Sequence, residues 1–177
     1  KGLILLQKLS LKKIAVIPAR YAATRFPAKL MQMLGNKTVI RHTYENTLAT
    51  GLFDEVLVVT DSDIIFHEIE SHGGKAKMSI REQESGSDRI AEAVAGLDVD
   101  LVVNVQGDEP FMQKQPLADL LSVFSDNKVQ VASLMHRIYE QDELQNPNIV
   151  KLVVDKNNFS LFFSRSCIPF HRNREIS

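Results

Sequence analysis

Three cations fall within ten residues near the start of the chain: Arg20, Arg25 and Lys29, in the stretch ARYAATRFPAKL over residues 19–30. Guanidinium groups take phosphate oxygens in bidentate pairs, and lysine acts as a point charge. A loop so composed, directly after a buried first strand, is suited to holding a polyphosphate. It is not a Walker A loop, because no G-x-x-x-x-G-K-[ST] pattern is present. The plainer reading of the same residues is a solvated basic loop. The opposite charge comes from LVVNVQGDEPF, residues 101–111, where an apolar run meets Gln106, Gly107, Asp108, Glu109 and Pro110. Such a run reads as a strand buried on both faces in the centre of a parallel sheet. Ligands of open α/β sheets bind beyond the carboxyl ends of such strands, which is where Gln106, Asp108 and Glu109 stand. Gly107 is expected to let the backbone turn, and Pro110 to stop the strand. A turn whose acidic residues merely face water is the competing reading.

A third motif, Ser85-Gly86-Ser87-Asp88-Arg89, opens a helical stripe of Ile90, Val94 and Leu97. Its first reading is a serine N-cap. Its second is a helix start whose free N–H groups cradle a nucleotide, with Arg89 aimed at phosphate or base. Near the end, Arg165 and Arg172 belong to a second basic cluster, a carboxylate clamp or else a solubilising tail. His42, His67, His72 and His136 have no partner at metal-ligand spacing and read as surface or packing residues. Neither Ser164 nor Cys167 has a case as a triad nucleophile.

The elements that must position these residues follow from periodicity. Lys13–Pro18 and Glu55–Thr60 are β-branched strands, and Lys75–Ser79 is a shorter one. Thr38–Thr50 carries a helical stripe ended by Gly51, and the next helix is capped by Asp61 or Ser62 and ended by Gly73-Gly74. Strand alternating with helix implies a parallel sheet. Pro116 suits the first position of a helix over Pro116–Phe124. Val129–Met135 reads as another strand, Tyr139–Pro147 as a polar loop or short helix. Ile149–Asp155 and Phe159–Phe163 read as a hairpin about Lys156-Asn157-Asn158. Residues 1–11 form an atypical leader of opaque role, and residues 12–177 one nucleotide-binding domain.

Composition narrows the function classes. The 177 residues are 44% hydrophobic, enough for one sizeable core. With 21 Lys and Arg against 22 Asp and Glu, the net charge is -1, so no global field draws the chain to nucleic acid or an anionic membrane. Phosphate recognition must be local. A single cysteine permits no internal disulfide, and the early GLILL run is too short for a signal core or a membrane span. Both suit a cytoplasmic protein.

Taken together, IPARYAATRFPAKL, SGSDR, NVQGDEP, NPNIVKLVVD and FSRSCIPF resemble the 3-deoxy-manno-octulosonate cytidylyltransferase family, in the right order over about residues 13–174. The resemblance implies an α/β fold: a mostly parallel central sheet flanked by helices, Rossmann-like, with a β-rich C-terminal part. It implies transfer of a cytidylyl group from CTP to Kdo with Mg²⁺, for lipopolysaccharide assembly, in a homodimer. By position, Arg20, Arg25 and Lys29 would hold the triphosphate, with Ala19 also at the nucleotide. Ser85, Gly86 and Arg89 would surround the cytidine, Gln106 would lie beside both substrates, and Asp108 would bind magnesium. Arg165 and Arg172 fall near the family's sugar site. Two residues depart from its pattern: Ala23 stands for the usual serine and Ala28 for the usual glycine. The family also continues beyond the equivalent of Ser177, through segments that complete the sugar and metal sites, so the chain reads as truncated. Two alternatives stay open: a cytidylyltransferase for an 8-amino-Kdo or sialic-type acid, and a catalytically silent nucleotide-binding module.

Overall fold

A computed structural model describes residues 11–21, 28–80 and 85–168. The chain divides into two compact units, residues 1–122 and 123–177.

The first unit is built on a four-stranded parallel sheet. Its strands are β1 (Lys13–Ala19), β4 (Glu55–Thr60), β5 (Ala76–Met78) and β6 (Leu101–Asn104), in spatial order β5-β4-β1-β6. Four helices flank it: α1 (Val39–Ala49), α2 (Asp63–Glu70), α3 (Gly86–Val94) and α4 (Lys114–Ser122). Because side chains alternate across a strand, β1 feeds two cores. Ala15, Ile17 and Ala19 join Val56, Val58, Val103 and Val105 beneath Ile40, Tyr44, Ile65, Ile69 and Leu117, so α1, α2 and α4 share one face. Ile14 and Val16 meet Leu57, Val59, Ile90 and Ala93, which puts α3 on the other. The parallel sheet expected from the alternation of elements is present.

The strand order reverses beside β1: the chain runs outward to β4 and β5, then returns to place β6 on β1's other side. That reversal is a topological switch point, where the loops at the carboxyl ends of β1 and β6 part and leave a crevice.

Several expectations need correction. β6 is an edge strand among the described residues, not a central one. Val103 and Val105 are buried, but Val102 is 39% exposed and Asn104 faces outward, so only one face is covered. The polar Asn104 between two buried valines carried that signal. α3 ends at Val94, leaving Leu97 beyond it and 45% exposed. α4 begins two residues before Pro116, which still lies in the first turn, where its missing N–H costs no helical bond. A two-stranded antiparallel hairpin, β2 (Met33–Leu34) and β3 (Lys37–Thr38), was not anticipated, although its Gly35-Asn36 turn, with Gly35 at φ 67°, is a hairpin signature.

In the second unit a short helix, α5 (Gln141–Gln145), precedes a hairpin of β7 (Lys151–Val154) and β8 (Ser160–Ser164), with Asn158 at φ 65° in the turn as its position suggests. Val129–Met135 pairs with no strand among the described residues, and Val131 is 89% exposed. High β-propensity alone does not make a strand where no neighbouring edge takes its hydrogen bonds. The only buried side chain among the described residues of this unit is Lys151, 4% exposed. Its ammonium donates to the carbonyls of Asn146 at 2.5 Å, Ile149 at 2.9 Å and Arg165 at 3.0 Å.

Candidate active site

The switch-point crevice is a cleft of about 300 Å³ lined by Pro18, Arg20, Lys29, Leu30, Gly86, Gln106, Gly107 and Asp108. The first cationic loop, the helix-opening glycine and the acidic strand-end turn thus meet in one place. The decisive contact is direct: Lys29 Nζ lies 2.6 Å from Asp108 Oδ2, with the two side chains 50% and 43% exposed. Residues 79 positions apart form a half-solvated ion pair at the cleft mouth.

Each wall has a local cause. β1 delivers Pro18 and Arg20, while Ala19 is fully buried as the strand's last residue, leaving only its backbone to face a ligand. Lys29 opens a single 3₁₀ turn, Lys29–Met31, that starts from Ala28 in the left-handed region at φ 55°, ψ 24°. The Ala28 N–H donates to the Tyr21 carbonyl at 3.0 Å, which ties together the residues flanking 22–27. On the other wall, Gly107 sits where a side chain would be crowded. A Cβ there would come within 3.3 Å of Pro18 O, Ile40 Cδ1 and Leu30 Cδ1, whereas its φ is not in the left-handed region. The expectation of a freely turning glycine gives way to one of close approach. After it, Glu109 N–H closes a turn on Gln106 O at 3.1 Å, and Gln106 Nε2 donates to Asn104 Oδ1 at 3.0 Å.

At the start of α3 the capping reading holds. Ser85 Oγ accepts from Asp88 N–H at 3.2 Å and donates to Asp88 Oδ2 at 2.6 Å, while the Ser85 N–H reaches back to the same carboxylate. The hydroxyl is therefore occupied by its own helix, and it is Gly86 that borders the cleft. Arg89 is turned into the protein. Its side chain is 1% exposed, and Nη2 donates to Asp61 Oδ2 at 2.6 Å, joining α3 to the end of β4. Nε and Nη1 are buried without a hydrogen-bond partner among the described residues.

Of the residues singled out from sequence, Arg20, Lys29, Gly86, Gln106 and Asp108 converge on the cleft. Arg165 belongs to the second unit, where Nη1 donates to Pro147 O at 2.9 Å. Arg25 and Arg172 lie outside the described residues. The histidines serve packing and turns: His42 Nε2 meets Leu34 O at 2.7 Å, and His72 Nδ1 meets Glu68 O at 2.7 Å. Sequence reasoning missed Leu30, whose side chain seals the cleft against Gly107, and no motif would have flagged it.

The donor set suits a hard cation bound through a nucleotide. Asp108 has one oxygen on Lys29 and projects into a half-open cleft, and no group of three His, Cys, Asp or Glu side chains clusters among the described residues. Magnesium is commonly held this way, by one or two carboxylates with phosphates and water completing the shell.

A cytidylyltransferase family model matches residues 14–177. The 3-deoxy-manno-octulosonate cytidylyltransferase of Flavobacterium johnsoniae is 66% identical over 168 residues, covering 93% of this chain and 69% of that protein. The chain belongs to the 3-deoxy-manno-octulosonate cytidylyltransferase family. The Christiangramia forsetii member is 53% identical over 163 residues, covering 90% of this chain and 66% of its own length. A solved CMP:2-keto-3-deoxy-manno-octonic acid synthetase complexed with CTP superposes with a TM-score of 0.85 at 38% identity, over 92% of this chain and 67% of that one. The chain thus spans about two-thirds of the length of these family members.

Proposed function

We propose that this protein transfers the cytidylyl group of CTP to Kdo, giving CMP-Kdo and pyrophosphate for lipopolysaccharide assembly. The reading rests on one observation: Arg20, Lys29 and the carboxylate Asp108 line one crevice at the switch point, with Lys29 paired to Asp108. The family members' names supply the substrate, since nothing in the cleft itself distinguishes one sugar acid from another.

The anomeric hydroxyl of the sugar acid attacks the α-phosphorus in line. A new P–O bond forms, the bond to pyrophosphate breaks, and the hydroxyl proton leaves to solvent. Chemistry of this kind depends on positioning and charge neutralisation rather than on a protein nucleophile. Arg20 and Lys29, with Arg25 from the same loop, hold the triphosphate and offset the charge that builds on the departing pyrophosphate. Gly86 lets the nucleotide approach the α3 start closely, and Gln106 orients the substrates. Arg89, through Asp61, fixes the α3 start on β4 instead of touching the ligand. Asp108 holds Mg²⁺, which when bound neutralises phosphate oxygens and acidifies the attacking hydroxyl. Arg165 and Arg172 are assigned to the sugar acid, the protein to a homodimer, and its setting to the cytoplasm. None of the described helices is long and apolar enough to cross a membrane.

The test is pyrophosphate release with CTP, UTP and GTP against Kdo, 8-amino-Kdo and a sialic acid. Turnover should be confined to CTP with Kdo. Asp108→Asn should lower kcat/KM by on the order of a hundredfold or more, a loss of about 3 kcal/mol of transition-state stabilisation. Normal turnover by that variant would overturn the metal assignment, and CTP binding without pyrophosphate release in the parent protein would favour a silent binding module.

A further inference from the structure

The acidic turn that carries Asp108 is gripped at both ends by one helix. Thr43 is fully buried on α1, and its hydroxyl lies 2.9 Å from the Gly107 carbonyl, the peptide immediately before Asp108. One turn further along the same helix, Asn46 Nδ2 donates at 2.5 Å to the Pro110 carbonyl, one residue beyond Glu109. Residues three apart share a helix face, so the two side chains form a paired clasp. Between the clasped carbonyls lie only Asp108, Glu109 and Pro110. Ile40, one turn before Thr43, tightens the same contact sterically, its Cδ1 being one of the three atoms that would crowd a Cβ at Gly107.

The clasp has an alternative that cannot be satisfied at once. The Thr43 hydroxyl has a single proton, and the Val39 carbonyl of its own helix lies 3.1 Å away. Donation to Gly107 O, the shorter of the two, therefore competes with the usual back-bond of a buried threonine to its own helix. A buried carbonyl without a donor is costly, which makes the hydroxyl a specific requirement rather than a space filler.

We propose that Thr43 and Asn46 are positioning residues for the cation carboxylate: they set where Asp108 stands relative to the nucleotide phosphates without touching substrate or metal. The proposal deepens the cytidylyl-transfer reading and rests on Asp108 being the metal ligand.

The test compares the parent protein with Thr43→Val, Thr43→Ser and Asn46→Ala. CTP affinity is measured by calorimetry in EDTA and again with Mg²⁺, and the ratio is the metal-linked gain. Exchange of the Glu109 amide, bonded to Gln106 O across the turn, is followed in the same proteins without ligand. Thr43→Val and Asn46→Ala should each cut the metal-linked gain roughly threefold to tenfold, the worth of one net hydrogen bond. CTP affinity in EDTA should hold, Glu109 exchange should quicken, and Thr43→Ser should restore both readouts. Asn46 is exposed, so its variant folds even if a buried valine disturbs the core. An unchanged metal-linked gain in folded Asn46→Ala would overturn the proposal, as would an equal loss of affinity in EDTA, the mark of a merely structural role. If the parent protein shows no metal-linked gain, the assignment of Asp108 to the metal falls instead, and the Glu109 exchange rates alone decide whether α1 holds the turn.

Discussion

Lys29 has two customers, a phosphate chain and Asp108, and it cannot satisfy both in full. In the structure its ammonium sits on one oxygen of the carboxylate that is assigned to the cation. A half-exposed pair of this kind contributes about 0.2–1 kcal/mol, little enough to be exchanged when the nucleotide arrives. Lys29→Ala should therefore split two affinities. CTP should bind about tenfold more weakly, because a charge-assisted phosphate contact is lost. Mn²⁺, titrated by electron paramagnetic resonance in the absence of nucleotide, should bind up to about fivefold more tightly, because its carboxylate is released. Parallel losses in both, or no change in either, would refute the exchange. Ala28, next to it, bears a backbone cost. The left-handed conformation disfavours an L-residue by about 1–2 kcal/mol, against which glycine loses about 0.4–1 kcal/mol of chain entropy on folding. Ala28→Gly should stabilise the protein by about 0.5–1 kcal/mol in the urea midpoint, and a fall in stability would show that the loop needs the alanine methyl.

At the scale of elements, α1 links the site to the rest of the first unit. Its buried face enters the core through Ile40 and Tyr44, its Thr43 and Asn46 reach the acidic turn, and its Glu45 binds both Lys37 of β3 and Arg41 one turn back. The hydrogen bond from Lys37, aided by Arg41, holds the Glu45 carboxyl below its ordinary value of 4.5, against the opposing effect of partial burial. A carboxyl with a depressed folded pKa contributes stability that is present above its unfolded pKa and lost as pH falls through the folded one. Glu45→Gln should thus cost about 0.2–1 kcal/mol near pH 7. The gap between variant and parent should close as pH drops below that ordinary value of 4.5 and through the lowered folded one. A gap independent of pH would mean that packing, not charge, is what Glu45 supplies. The same elements show what a sequence discloses. Periodicity exposes α1, α2 and the parallel strands, because burying one face forces a repeat of 3.6 or 2. It does not expose the clasp, since Thr43 differs from any helical threonine only through a carbonyl 64 residues away. Nor does it separate an edge strand from a central one, except through Asn104. The orientation of Arg89 is hidden for a related reason: a motif gives the charge of a guanidinium but not its direction, and here Asp61 draws it inward.

For the whole molecule, the two units differ in how they are held. The first buries apolar side chains on both faces of its sheet, whereas the described part of the second buries no apolar side chain and holds its hairpin with the Lys151 ammonium and three carbonyls. Phe159, Leu161, Phe162 and Phe163 are all more than two-fifths exposed. Hydrophobic burial is the main source of folding free energy, so the second unit must open at a smaller cost than the first. This difference was not legible in the chain, because FSLFF and IVKLVV are as apolar as the strands of the sheet. Native-state hydrogen exchange should show it: amides of β1 and β4 protected at the level of global unfolding, and those of β7 and β8 exchanging at least tenfold faster through a separate opening. Lys151→Met keeps the length of the side chain and removes all three donated hydrogen bonds, each worth about 1.5–3 kcal/mol with a charged donor. It should abolish protection in β7 and β8 while leaving β1 and β4 unchanged. Equal protection across both hairpin and sheet in the parent protein, or a simultaneous loss in the variant, would show instead that the two units unfold as one.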